Sequence, residues 1–175
     1  MIIGLSGKIA AGKTTAAVYL NENYQFAILK TSDLLDSILE AKHVKLSRKN
    51  QQKLGNELIS TVGPGGFVAM MLYSTSESNR VIDAIRYSEA VTYLKGKYGN
   101  EFKHIHIEAK DSVRHARRGS KNIRNVSSFK LIDKANTESD NAKLRKLADR
   151  IIKNESSLEE FYSKLEDFML TVHAE

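Results

Sequence analysis

Two glycines, a lysine and a threonine near the start of the chain have a spacing that can bind phosphate. They belong to the stretch Gly7-Lys8-Ile9-Ala10-Ala11-Gly12-Lys13-Thr14, which fits G-x-x-x-x-G-K-[ST] at every fixed position. The glycines let backbone N–H groups turn inward around a polyphosphate, and the free N–H groups at a helix start add positive partial charge. We expect Lys13 to reach the β- and γ-phosphates and the Thr14 hydroxyl to hold Mg²⁺.

The flanking sequence favours a true phosphate loop over a glycine-rich turn that binds nothing. Residues 1–6 are typical of a buried strand and residues 15–20 of a helix, which is the context that the motif requires. A chance match is expected in only about 1% of chains of this length at average residue usage. The sequence therefore predicts a nucleoside triphosphate site with the following nucleotide-binding residues: Gly7, Lys8, Ile9, Ala10, Ala11, Gly12, Lys13, Thr14 and Thr15.

Length and composition indicate one α/β domain over residues 1–175. Hydrophobic residues make up 41% of the chain, enough for a core, and the lack of cysteine excludes a disulfide framework and a cysteine-based metal site. No apolar run approaches a membrane span, and the chain enters the phosphate loop within seven residues, so we expect no signal peptide. A cytoplasmic protein without a membrane partner is the expectation.

The net charge favours anionic ligands. It is +6 at pH 7, and the isoelectric point is near 9.4. A generally basic surface, nucleotide binding and nucleic-acid binding all agree with these values, and charge alone does not separate them.

Asp33 follows the second predicted strand, which covers residues 25–30. In the run Thr31-Ser32-Asp33 it can cap the helix predicted over residues 34–42. Ligands also bind at the carboxyl ends of strands in open α/β sheets. We weigh the capping role and the site role evenly, and the two are compatible.

Arg48 lies in the first turn of a helix predicted to start at Ser47. That turn is basic, and positive side chains are unfavourable beside the positive end of the helix dipole. This mismatch supports a role for Arg48 in holding an anion. The apolar stripe predicted for this helix consists of Leu54, Leu58, Ile59 and Val62. Residues 63–66, Gly-Pro-Gly-Gly, should break the helix before a second helical segment over 67–73.

Asp83 ends a buried strand that contains Val81 and Ile82. An aspartate at such a strand end is the usual position for holding Mg²⁺ through water, and Arg86 could reach a phosphate. The plain alternative is a strand cap followed by a surface arginine. The next strand, predicted over 102–108, places His104 and His106 on one face, where we expect structural or solvent-facing side chains and no metal site.

Residues 111–124 are strongly basic. Three arginines, Arg114, Arg117 and Arg118, share a helical face, and Lys121 and Arg124 follow a possible hinge at Gly119-Ser120. A solvated helix face, a lid that closes over transferring phosphates and a nucleic-acid surface are the three interpretations. Residues 149–154 then predict a last strand, and Ser156-Ser157-Leu158-Glu159 predicts a capping box that opens the final helix.

Five strands alternating with helices predict a three-layer α/β fold with a five-stranded parallel sheet and helices on both faces. With the loop, the two aspartates and the arginine segment, the chain resembles the P-loop nucleoside monophosphate kinases, especially the deoxynucleoside monophosphate kinases and their dephospho-coenzyme A kinase relatives. The resemblance rests on four stretches in order: residues 4–15, Arg48 to Leu58, Val81 to Arg86 and Ala148 to Glu160. Ala84 replaces the glycine that the relatives usually carry.

The resemblance implies acceptor-binding helices at about 31–78 and a small lid at about 112–140. It implies phosphoryl transfer from ATP, with Mg²⁺ held by Thr14 and Asp83, to a small phosphorylated acceptor, most simply a (deoxy)nucleoside monophosphate. The catalytic residues that it implies are Lys13, Asp33, Arg86, Arg118 and Arg124. The acceptor would contact Asp33, Arg48 and Arg86, while Arg114 and Asn154 would join the nucleotide-binding residues. Asp33 has a catalytic role only if the acceptor is a hydroxyl.

Two other functions stay open at this point. One is a dephospho-coenzyme A-type kinase, and the other is an ATPase that acts on RNA or on a ribosome-assembly partner through the basic segment. Nucleic acid is the less favoured partner. A switch GTPase is disfavoured because the sequence lacks an Asn-Lys-x-Asp motif. We expect the chain to act as a monomer or homodimer.

Overall fold

Five parallel strands form the centre of the molecule. The structure is a computed structural model that describes residues 1–119 and 138–173. The strands are β1 (Ile2–Ser6), β2 (Ala27–Lys30), β3 (Arg80–Asp83), β4 (Phe102–Glu108) and β5 (Arg150–Lys153). They lie in the order β2-β3-β1-β4-β5, and every neighbouring pair is parallel. The predicted five-stranded parallel sheet with helices on both faces is confirmed.

Helices connect the strands. They are α1 (Lys13–Tyr24), α2 (Thr31–Ala41), α3 (Arg48–Tyr73), α4 (Ser88–Tyr98), α5 (Asp111–Gly119), α6 (Glu138–Leu147) and α7 (Leu158–His173). In residues 1–119 and 138–173, none of them is long and apolar enough to cross a membrane. Most of the lid predicted for residues 112–140 lies outside the described residues.

The sheet separates two hydrophobic cores. Successive side chains of a strand point to opposite faces, so Ile2 and Ile82 join α2, α3, α4 and α6 in one core, whereas Ile3 and Val81 join α1 and α7 in the other. The central strand β1 is buried along its whole length, as expected for a parallel strand covered on both faces.

Helix α2 begins three residues earlier than predicted. Lys30, the last residue of β2, occupies the N-cap position with extended backbone, so the strand leads directly into the helix. Asp33 therefore lies in the first helical turn, where its negative charge suits the helix dipole, and the predicted capping role is wrong.

The predicted break in α3 occurs at Gly63. This residue has non-helical dihedral angles, φ 70° and ψ 168°, so α3 consists of two helical segments joined at a kink. Pro64 starts the second segment, a position that proline favours, three residues earlier than predicted. Val62 was expected in the buried stripe but is 44% exposed, because the kink interrupts the helical face at that point.

The final helix also differs from its prediction at the first turn. Ser157 Oγ accepts from the Glu160 N–H at 3.2 Å, so the cap lies one residue later than predicted. As a first-turn residue, Leu158 is 49% exposed, whereas Phe161 and Leu165 are buried.

A buried hydrogen-bonded group of polar residues, Ser6, His104 and His106, connects β1 to β4. Ser6 Oγ lies 2.7 Å from His104 Nε2 and 2.7 Å from His106 Nδ1. Both histidines are buried, which confirms the structural role and makes the solvent-facing alternative wrong. Burial lowers the pKa of each imidazole to about 4, and for His106 the positive charge of Arg145 adds to this effect, so both rings are neutral in the folded protein at pH 7.

We expect stability to fall as the pH drops from about 6.5 to about 4. The folded-state pKa of each histidine, about 4, lies below the ordinary value of 6.5, so in this window the unfolded chain binds more protons than the folded one. The loss should be at most about 3 kcal/mol per histidine. Thermal unfolding of His104→Gln and His106→Gln across this pH range should show a shallower slope than the wild type.

His43→Asn is the matched control, because His43 is exposed and asparagine tolerates its positive φ of 55°. An unchanged slope in both core variants would contradict the assignment of this acid sensitivity to the buried histidines.

Candidate functional site

The phosphate loop joins β1 to α1 through residues with positive φ angles. Gly7 has φ 134°, Ala10 has φ 62°, and Gly12, the N-cap of α1, has φ 112°. At Gly7 a Cβ atom would collide with the carbonyl oxygen of Ile107 in β4. Glycine is required there for two reasons, the backbone conformation and the close approach to the neighbouring strand.

Lys13, the first residue of α1, folds back over the loop. Its Nζ donates to the carbonyl oxygens of Gly7 at 2.7 Å and Lys8 at 2.8 Å. These contacts place an ammonium group at the loop, and a phosphate that binds there gains a positive charge at short range.

Thr14 and Asp83, the two predicted metal-binding residues, lie together. Thr14 Oγ1 donates to Asp83 Oδ2 at 2.8 Å. Their meeting follows from the sheet, since β3 is the neighbour of β1 and Leu5 is in register with Asp83. A hydroxyl and a carboxylate are oxygen ligands of the kind that Mg²⁺ prefers. The described residues contain no cluster of three or more His, Cys, Asp or Glu that could hold a metal.

A cavity of about 570 Å³ extends from the loop along the carboxyl ends of β2 and β3. Its volume lies in the usual range for small-molecule sites. Its polar and charged lining residues are Lys8, Lys13, Lys30, Thr31, Ser32, Arg48, Gln51, Gln52, Asn56, Asp83, Arg86 and Asn141. Apolar and aromatic side chains also line it, among them Leu35, Phe67, Met71 and Tyr87.

The cavity contains two of the three predicted acceptor-binding residues. Arg48 at the start of α3 and Arg86 after β3 both line it. The exposed Asp33 is not among its lining residues, whereas Thr31 and Ser32, which precede it in α2, are. Asp83 is the one acidic side chain among the described residues of the lining.

Arg114 and Asn154 contact backbone carbonyl groups of the loop. Arg114, fully buried in α5, donates from Nη1 to the Ile9 carbonyl at 2.8 Å and from Nη2 to Asp111 Oδ1 at 2.7 Å. Asn154, which follows β5, donates from Nδ2 to the Ala11 carbonyl at 2.9 Å. The side chain of Arg118 and the whole of Arg124 lie outside the described residues, so their predicted roles stay predictions.

On the polar face of α3, sequence reasoning singled out Arg48 but not Gln52 or Asn56. Arg48, Gln52 and Asn56 are spaced four residues apart, which places them on one side of the helix, and all three line the cavity. The spacing was readable beforehand, but only the packing of the opposite side, with Leu54 buried, shows that this face looks into a site.

Comparisons with solved structures agree with this geometry at the level of the fold. A protein called TT1252 from Thermus thermophilus is similar, with a TM-score of 0.63 and 16% identity over 98% of this chain and 97% of its own. Shikimate kinase from Bacteroides thetaiotaomicron has a TM-score of 0.60 and 16% identity over 99% and 98%, and dephospho-CoA kinase from Campylobacter jejuni has 0.56 and 16% over 98% and 96%. No family model and no curated protein matches the sequence. The chain therefore has the fold of the P-loop kinases.

We expect Gly7→Ala to lower the free energy of unfolding by about 1–3 kcal/mol, because alanine at φ 134° is strained and its Cβ would push Ile107 and β4 away. Gly96→Ala is the matched control. Gly96 lies inside α4 with open space around its Cα, so alanine should stabilise the helix by about 0.5–1 kcal/mol. Urea unfolding of both variants measures the difference. A Gly7→Ala protein as stable as the wild type would contradict the close approach of the loop to β4 at Gly7.

Proposed function

We propose that this protein transfers the γ-phosphoryl group of ATP to a (deoxy)nucleoside monophosphate. The observation that carries the proposal is the cavity that residues of the phosphate loop line together with Arg48 and Arg86, with Asp83 as the one acidic side chain of its described lining. The fold of the P-loop kinases supports phosphoryl transfer in general, and the choice of acceptor rests on the cavity.

The lining of the cavity can serve two phosphate groups. The loop and Lys13 would hold the triphosphate, and the guanidinium groups of Arg48 and Arg86 would bind the acceptor phosphate as bidentate donors. The same lining offers hydrogen bonds from the amides of Gln51, Gln52 and Asn56 and flat apolar surface from the rings of Phe67 and Tyr87. This combination suits a nucleobase, which has polar edges and an aromatic face.

The chemistry is a direct displacement. An oxygen of the acceptor phosphate attacks the γ-phosphorus, the bond from that phosphorus to the departing ADP oxygen breaks, and a nucleoside diphosphate forms. An acceptor phosphate is already ionised, so the chain needs to position and neutralise charge and needs no general base. When bound by Thr14 and Asp83, Mg²⁺ would neutralise charge on the β- and γ-phosphates.

A hydroxyl acceptor, as in dephospho-coenzyme A, suits the site less well. It calls for a general base within hydrogen-bond reach. Asp33, predicted for that role, is exposed and does not line the cavity, and the carboxylate of Asp83 is hydrogen-bonded to Thr14. An RNA surface on α5 also has little support from the described residues, because Arg114 is buried and Arg117 donates to Asn154.

A coupled assay of ADP release tests the proposal, with ATP·Mg²⁺ and a panel of nucleoside monophosphates, deoxynucleoside monophosphates, dephospho-coenzyme A and RNA. We expect turnover with one or more monophosphates at rates in the usual enzyme range, about 1–1,000 per second. Lys13→Ala should lower turnover by on the order of 100-fold or more while circular dichroism shows an intact fold. Turnover with dephospho-coenzyme A alone, or stimulation by RNA alone, would refute the choice of acceptor.

Arg86→Ala and Asp33→Asn separate a phosphate acceptor from a hydroxyl acceptor. Loss of one charge-assisted hydrogen-bond pair to phosphate should raise KM for the acceptor about 10- to 100-fold in Arg86→Ala, with little change in KM for ATP. Asp33→Asn should leave kcat unchanged. Steady-state kinetics with each substrate varied in turn measure both effects, and a fall in kcat of about 100-fold or more in Asp33→Asn would identify Asp33 as a general base instead.

A further inference from the structure

We propose that Arg114 and Asn154 are positioning residues, which hold the phosphate loop in its binding conformation by fixing two of its carbonyl groups. With their supporting residues Asp111 and Arg117, we call this group the loop bracket. The inference rests on the proposed function for the identity of the nucleotide, and it changes the predicted role of Arg114 and Asn154 from direct contact with the nucleotide to action through the loop.

The first half of the bracket is the guanidinium of Arg114. It reaches from α5 to the Ile9 carbonyl at 2.8 Å, and the Asp111 carboxylate holds its other end at 2.7 Å. The Arg114 side chain is 0% exposed, whereas that of Asp111 is 69% exposed. A buried cation is costly unless it is paired and hydrogen-bonded, and the contacts with Asp111 and the Ile9 carbonyl hold this guanidinium in place. Arg114 is absent from the described lining of the cavity.

The second half is the amide of Asn154. Arg117 Nη2 donates to Asn154 Oδ1 at 2.9 Å, which orients the amide so that Nδ2 faces the Ala11 carbonyl at 2.9 Å. The Asn154 backbone N–H donates to Glu108 O at 2.7 Å, so its main chain is fixed to the end of β4. Gly12 makes room for the contact, because a Cβ there would collide with Asn154 Nδ2.

The two carbonyl contacts also determine where the neighbouring backbone N–H groups of the loop point. In a trans peptide unit the carbonyl of one residue and the N–H of the next point in opposite directions. With the carbonyls of Ile9 and Ala11 directed at the bracket, the N–H groups of Ala10 and Gly12 point away from it, to the inside of the loop. Inward N–H groups are the ones that a loop of this type offers to phosphate.

The backbone of the loop does not favour this conformation by itself. The φ of Ala10, 62°, is unfavourable for alanine, and Gly12, with φ 112°, can adopt many other backbone conformations because it has no side chain. Such a segment keeps one conformation only where its surroundings impose it. The bracket supplies that constraint from Arg114 of α5 and from Asn154 after β5, neither of which is among the described lining residues of the cavity.

Asn154→Asp tests the inference with a change of one atom. The aspartate has the same shape and keeps its contact with Arg117, but it places an acceptor against the Ala11 carbonyl where a donor stood. Asn21→Asp is the matched control, because Asn21 Nδ2 also donates to a backbone carbonyl, that of Phe26 at 2.8 Å, at the other end of α1. Arg114→Lys is a second variant, which keeps the charge but loses the planar fork that spans Ile9 and Asp111.

Calorimetric titration with ATP·Mg²⁺ should show binding about 10- to 100-fold weaker in Asn154→Asp than in the wild type and in Asn21→Asp, since small displacements of positioned groups have effects of that size. Arg114→Lys should also bind ATP more weakly. KM for the nucleoside monophosphate should stay within about twofold of the wild type, because none of the bracket residues is among the described lining of the cavity.

Two results would overturn the bracket. One is ATP binding in Asn154→Asp as tight as in Asn21→Asp. The other is a general loss, in which Asn154→Asp lowers Tm far more than Asn21→Asp and weakens ATP and acceptor equally, since that pattern indicates a purely structural residue. If the wild type binds ATP but phosphorylates no monophosphate, the proposed acceptor fails while the bracket is still judged by the titration; a wild type that binds no ATP would overturn both.

Discussion

The close approach between the phosphate loop and β4 is the constraint on which the rest of the site depends. Gly7 passes so near the Ile107 carbonyl that no side chain fits between them. With the start of the loop fixed there, α1 begins at Lys13, and its first turn places Thr14 against Asp83 of the neighbouring strand. The positions of the lysine, the hydroxyl and the carboxylate are therefore consequences of one tight backbone contact and of the parallel register of β1 with β3.

The arrangement of charge follows from which helices cover which face. Cationic side chains line the cavity at the loop and again at Arg48 and Arg86, while the nearby His106 is kept neutral by burial. A cavity lined by Lys13, Arg48 and Arg86, with Asp83 as the one acidic side chain of its described lining, favours a ligand pair that carries phosphate on both members. The kink of α3 contributes to the shape, because Pro64, Phe67 and Met71 after Gly63 form part of the apolar wall.

The elements with strong local signals were predictable from sequence. The loop motif, the alternation of β4 and the apolar run before Asp83 all correspond to elements of the structure, and the strand at 102–108 has the predicted bounds. Local signals failed where a tertiary contact decided the outcome. Lys30 passes directly from strand to helix, so Asp33 lies in the first turn of α2 and not at the predicted capping position. Val62 and Leu158 fit an apolar helical pattern but lie at a kink and at a helix start, where no neighbour covers enough of their surface.

The sequence by itself determined the five-stranded parallel sheet and the presence of a phosphate loop, because both depend on spacings within short segments. Only the tertiary structure decided which distant residues meet. It brought Thr14 to Asp83, Ser6 to the two histidines of β4, and Arg114 and Asn154 to the carbonyls of the loop. The physical reason is that each of these pairs is defined by the order of strands in the sheet and by the packing of helices on it, and neither property is encoded in the spacing of residues along one segment.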